Sequence, residues 1–152
     1  MAFSTGYLGD PQQVGGGERF GSTNIVLAAR TFEDSLKVGR FAKLDTGSLD
    51  NIDGSVTPVL AGVVLRNAAN PVEDGAVIDA DLYDQVEYQR QGLVSVDVAA
   101  AATPAQFGTV FVSNQGDAND GLALSAAAAG DVTADAEFIE ELATNVWLIR
   151  LK

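Results

Sequence analysis

From Asn24 to Lys152, apolar positions fall into short runs separated by Gly, Asn, Asp and Pro, a pattern of strands and turns rather than helices. Asn24–Ala29 and Val38–Leu44 are the first two runs. Val56–Arg66 is a third, and Pro58 and Gly62 within it predict an edge, a bend or a strand start, because Pro has no amide to give a central ladder. In Gln85–Arg90, Val86 and Tyr88 alternate with polar residues. In Gly92–Val98, Val94, Val96 and Val98 alternate with Ser95 and Asp97. That period of two marks half-buried strands, and Arg90, Gln91 and Gly92 between them predict a tight hairpin. Phe107–Ser113, Ala136–Leu142 and Asn145–Leu151 complete the set. In the last run both faces are largely apolar, Trp147, Ile149 and Leu151 against Val146, Leu148 and Arg150, so it is expected to be covered on two sides. The Ala-rich segments Val98–Ala102 and Ser125–Ala129 predict single helical turns in loops, with Gly130 ending the second. The expected fold is all-β: a single-domain β-sandwich, jelly-roll-like, or a small β-barrel over residues 24–152.

Residues 1–23 follow a different pattern. They hold six of the sixteen glycines, including Gly15–Gly16–Gly17, yet carry Phe3, Tyr7, Leu8 and Phe20. A flexible linker would lack the aromatics, and a helix would not tolerate the glycines. The segment reads as an extended N-terminal arm that docks its aromatics on a partner. Ordering about twenty residues costs roughly 20–40 kcal/mol, so burial at about 25 cal/mol per Å² must reach roughly 800–1,600 Å². A neighbouring subunit is the expected receiver.

Composition narrows the function. The chain has no Cys and no His, which removes disulfides, thiolate chemistry, Cys/His zinc sites and the usual base of a nucleophilic Ser. Its 21 acids against 9 bases give a net charge of −12, which disfavours nucleic acid as a partner. The longest apolar runs fall well short of the ~20 residues a membrane span needs. Residues 1–10 lack a basic start and an apolar core, so no secretory signal is read there and synthesis in the cytoplasm is expected.

Candidate chemistry is sparse. Asp50, Asp53 and Gly54, then Asp79, Asp81 and Asp84, then Asp117, Asn119, Asp120 and Gly121 form acidic clusters, but none has the spacing of a calcium loop. Turn-forming Asp and Asn explain them without an ion, and no metal site is assigned. Glu137, Glu140 and Glu141 are the acids best flanked by apolar residues, as a glycosidase would need. With so many acids, such placement arises by chance. Gly15–Gly17 lacks the strand, the Lys and the spacing of a phosphate loop. The chain is read as no enzyme, with no cofactor.

Several segments together resemble a family. Gly6-Tyr7, Thr23-Asn24-Ile25, Lys37-Val38-Gly39-Arg40-Phe41-Ala42 and Leu60-Ala61-Gly62-Val63-Val64 are similar to the capsid cement (decoration) proteins of tailed bacteriophages. So are the run from Val86 to Val96, Phe107-Gly108-Thr109-Val110-Phe111-Val112 and the apolar closing strand. The resemblance implies a structural virion protein, made in the host cytoplasm and placed on the outer surface of the capsid. There it would bridge subunits of the major capsid protein as a homodimer rather than a homotrimer. The expected capsid-interface residues are Phe3, Tyr7, Leu8 and Phe20 as apolar anchors, with Arg19, Arg30 and Arg40 pairing with acids. The competing reading is a carbohydrate-binding or tail-fibre-type β domain. A sugar-binding face would expose Trp, whereas Trp147 sits in a run that reads as buried.

Overall fold

A computed structural model describes residues 16–17, 19–31, 35–66, 77–79 and 86–152, and among these all regular structure is β. The strands are β1 (Arg19–Ala29), β2 (Ser35–Lys37), β3 (Phe41–Asp45), β4 (Ser48–Asn51), β5 (Leu60–Val64) and β6 (Val77–Asp79). They continue with β7 (Val86–Asp97), β8 (Thr109–Val112), β9 (Ala123–Leu124), β10 (Val132–Ala143) and β11 (Val146–Leu151). β2 and β6 form a small sheet of their own. The others form one antiparallel sheet in the order β4-β3-β5-β7-β11-β10-β8-β9, with β1 also on β7.

β7 is the spine of this sheet. β1 pairs with it from Val86 to Val94. On the opposite edge β5 takes Tyr88 and Gln89, and β11 takes residues 92–97. The sheet therefore divides into a β5-β3-β4 half and a β11-β10-β8-β9 half, curled into a half-barrel. The curl is visible in the main core. Phe41, Ile52, Val63 and Leu65 from the first half meet Val94, Val110, Phe138 and Ile149 from the second. A parallel bridge from Val98 to Ala123 brings β9 back beside the end of β7. A second cluster, including Leu36, Leu49, Val64 and Tyr88, covers the other face of the first half.

The hairpin expected at Arg90–Gly92 is instead one continuous twelve-residue strand. Opposite it, the single step from Ile25 to Val26 answers the two steps from Gln91 to Gln89, so Arg90 is an inserted residue, a β-bulge. The insertion inverts the alternation: Val86 and Tyr88 face the second cluster, Val94 and Val96 the main core. Gly92 has φ +100, and a Cβ there would strike the Asn24 side chain. Gln89, fully buried, donates from Nε2 to the carbonyls of Gln91 at 3.0 Å and Leu93 at 2.9 Å, stitching the bulge from inside. A turn and a bulge both call for a polar residue followed by glycine, which is why the sequence reads either way.

Three further expectations change. Val38–Leu44 is split by a turn at Gly39, φ +78, between β2 and β3. The Ala-rich segments form turns closed by the Ala102 amide on the Ala99 carbonyl and the Asp131 amide on the Ala128 carbonyl, with no helix. β1 begins at Arg19, inside the segment read as the arm. Other expectations stand. β5 starts just after Pro58, and in β11 Val146, Leu148, Ile149 and Leu151 are buried while Arg150 is exposed. Trp147 departs from the buried placement expected of it, being only partly buried, edge-on to Phe138 with ring centroids 5.5 Å apart.

Candidate functional site

The Gly-rich entry to the domain is a close-packed joint. Gly16 and Gly17 are both buried. A Cβ on Gly16 would lie 2.7 Å from the Gly39 Cα and 2.6 Å from Asp97 Oδ1, and one on Gly17 would lie 2.6 Å from the Val64 carbonyl oxygen. The Gly16 amide donates to Asp97 Oδ1 at 3.2 Å, and the Gly17 amide donates to the Ser95 carbonyl at 2.7 Å. The Gly17 carbonyl accepts from the Arg66 amide at 3.0 Å. These glycines let two backbones meet, which explains them without any phosphate.

From this joint the chain enters β1, whose far edge pairs with no strand among the described residues. Directly paired residues share a face. Phe20 opposite Leu93, Ile25 opposite Gln91 and Leu27 opposite Tyr88 therefore lie on one side. Ile25 is 46% exposed and Leu27 38% exposed. Phe20 and Leu93 beside them are half-buried, so the edge carries an apolar strip. Between Phe20 and Ile25 the strand makes five steps against two on β7. Asn24 spans the irregularity, donating from Nδ2 to the Phe20 carbonyl at 3.0 Å and accepting the Leu93 amide on Oδ1 at 3.2 Å. Arg19 and Arg30, at the two ends, are exposed, and among the described residues no carboxylate pairs with either. The sequence singled out Arg19, Phe20 and Arg30, and the fold brings them onto this edge. It missed Ile25 and Leu27, because a run of apolar residues in a strand reads as core. The available signal was the absence of any acid from Arg19 to Phe32 in so acidic a chain.

Arg40 sits elsewhere. Its Nη1 donates to the carbonyls of Ala118 at 2.7 Å and Asp120 at 3.1 Å, so it braces the loop before β9. Burial lowers its pKa, against the pull of Asp97 and Asp120, and a guanidinium stays charged regardless. Phe3, Tyr7 and Leu8 lie outside the described residues.

The acidic clusters serve turns. The Asp120 carboxylate accepts the amides of Gln115 and Gly116, and Asp117 accepts that of Asn119. Burial works to raise the pKa of Asp131, but hydrogen bonds from Gln115, Ala128 and Asn114 hold it below the ordinary range. Asp53 pairs with the buried Lys43 at 2.8 Å, and the hydrogen bonds from Lys43 and Ser55 lower its pKa to about 2. Asp81 and Asp84 lie outside the described residues. Among the described residues no three acids converge on a metal-sized site. Glu137 is taken by Arg150 at 2.8 Å and Lys152 at 3.5 Å, while Glu140 and Glu141 are exposed. Ion-paired or exposed, these three glutamates lack the apolar setting that a glycosidase acid needs.

A rigid loop provides a second exposed apolar feature. The Asn114 side chain accepts the Gly54 amide at 2.8 Å and donates to the carbonyls of Ser55 and Gly130, both at 3.0 Å. Thus pinned, the loop carries Val56, 90% exposed, and Val59, 66% exposed.

Comparison with known proteins identifies the family. Residues 4–152 match the family model described as structural cement protein (E217 gp24/Pam3 gp6). A chain from the solved capsid of the Myoviridae phage XM1 is similar in structure, with a TM-score of 0.83 and 33% identity over 100% of this chain and 98% of that one. A comparison with curated proteins gives no match.

Proposed function

Because the chain belongs to the family of phage structural cement proteins, we propose that it clamps neighbouring major capsid protein subunits on the outer face of a phage head. It is a capsid cement protein of the virion, and it associates with capsid proteins. The observation that carries this is the family match over residues 4–152, joined to a structural likeness to an XM1 capsid chain that spans the whole length. A clamp that binds only the mature shell stabilises that state by its own binding free energy, summed over every copy on the lattice. No catalytic step is needed for this, and the family is a structural one.

In this reading Phe3, Tyr7 and Leu8 anchor the arm on the shell, and Arg19, Phe20 and Arg30 extend the contact along β1. Large buried side chains concentrate interface energy, which favours the aromatics as anchors. Arg40 supports the contact by fixing the loop it braces. The protein acts as a homodimer, so that one molecule spans two shell subunits.

The test uses heads assembled without this chain. Adding the purified protein is expected to decorate them and raise the temperature at which they release DNA. Removing residues 1–14 leaves the Gly16–Gly17 joint and β1 in place, and should give a folded protein that decorates poorly. Full decoration by the shortened chain would rule out the arm, and failure of the whole chain to bind would rule out the clamp.

A further inference from the structure

β1 is the strand where the surface departs from the rest of the chain. The molecule carries −12, yet the fourteen residues from Arg19 to Phe32 contain two arginines and no acid. Exposed sheet edges are normally blunted by charge, Pro or a bulge, because a free row of amides and carbonyls accepts any strand. In β1 the irregularity between Phe20 and Ile25 breaks the edge, but Ile25–Ala29 beyond it has neither charge nor Pro. That short regular stretch, with Ile25 and Leu27 exposed on one face, has the form of a strand acceptor.

We propose that the outer edge of β1 takes an extended segment of the shell protein whose apolar residues lie on Phe20, Ile25 and Leu27 and whose carboxylates meet Arg19 and Arg30; this rests on the cement reading above. Charge complementarity selects this occupant. A second copy is disfavoured in the two registers that pair β1 along its whole length. Antiparallel pairing of two β1 strands centred on Ile25 would set Arg19 of each near Arg30 of the other, and parallel pairing would set like residue beside like. Both bring arginine to arginine, and like charges opposed across strands are destabilising. An acid-flanked strand instead gains two ion pairs at the ends of a backbone ladder, with the apolar strip fixing its register.

Heads assembled without this chain serve as the probe, and wild type is compared with Arg19→Glu/Arg30→Glu and with Ile25→Glu/Leu27→Glu. Each double variant is expected to bind heads at least tenfold more weakly, and the arginine variant should also lose most of the salt dependence of binding. On decorated heads the amides of residues 25–29 should exchange more slowly than in the free protein. The arginine variant alters only exposed side chains, so it decides the question if the apolar variant unfolds. Normal head binding by the arginine variant would overturn the proposal. So would an apolar variant that turns from dimer to monomer while still binding heads, since the strip would then belong to a second copy. Failure of wild type to bind heads sinks the cement reading itself, a separate outcome.

Discussion

Gly16 and Gly39 meet backbone to backbone: a Cβ on Gly39 would lie 2.5 Å from the Gly16 Cα, closer than real Cβ contacts come. Gly39 also has φ +78, so an alanine there meets both a collision and a left-handed backbone. Gly39→Ala is expected to cost about 2–4 kcal/mol, from strain of roughly 1–3 kcal/mol plus overpacking. Gly47 provides the contrast, with φ +88 but nothing within 4 Å of its Cβ position, so Gly47→Ala should cost only about 1 kcal/mol. Denaturant unfolding of the two variants measures the difference, and equal costs would contradict the packed joint.

Asn114 bonds to Gly54, Ser55 and Gly130 and is 5% exposed. Asn114→Ala removes three hydrogen bonds and leaves their partners without it, for an expected loss of about 2–4 kcal/mol. Amide exchange at Gly54 should quicken before the rest of the sheet does. Uniform quickening would mean that the loop is not held by this residue.

The acid limb of stability should carry the mark of Asp53. Its folded pKa is about 2 against an ordinary 3.8, so its contribution is complete above about pH 4 and lost as pH falls through about 2. Asp131, also held low, adds to the same window. Thermal unfolding followed from pH 5 to 2 should show a steeper fall for wild type than for Asp53→Asn. Parallel curves would argue against the Lys43 pair as the cause.

Phe138 is fully buried in the main core and takes Trp147 at its edge. Phe138→Ala is expected to cost about 3–5 kcal/mol. The same change should alter Trp147 fluorescence in the folded state. Unchanged emission with lost stability would break the link between the two rings.

The terminal strands were legible in the sequence because alternation and burial agree there: Ile149 and Leu151 do face the core. β7 was not, because Arg90-Gln91-Gly92 has the chemistry of a turn, and only the partner strand decides between a turn and a bulge. That partner, β1, lay partly in a segment whose glycines masked its first residues. The candidate contact residues divided in the same way. Arg19, Phe20 and Arg30 stood out by type, whereas Ile25 and Leu27 are exposed only because no further strand among the described residues covers their edge. Edge position belongs to topology, and period-two patterning carries no information about it.

The bonds of Gly17 also set how force travels. Its amide is tied to Ser95, in the half of β7 that pairs with β11, and its carbonyl to Arg66, just beyond β5. Under the proposed arm contact, tension from the leading residues would meet these bonds, to the spine strand and to the end of the β5 wing, before it reached Arg19. In that proposal a shell straining under internal pressure would load the molecule's middle before the ladder that holds β1 to β7.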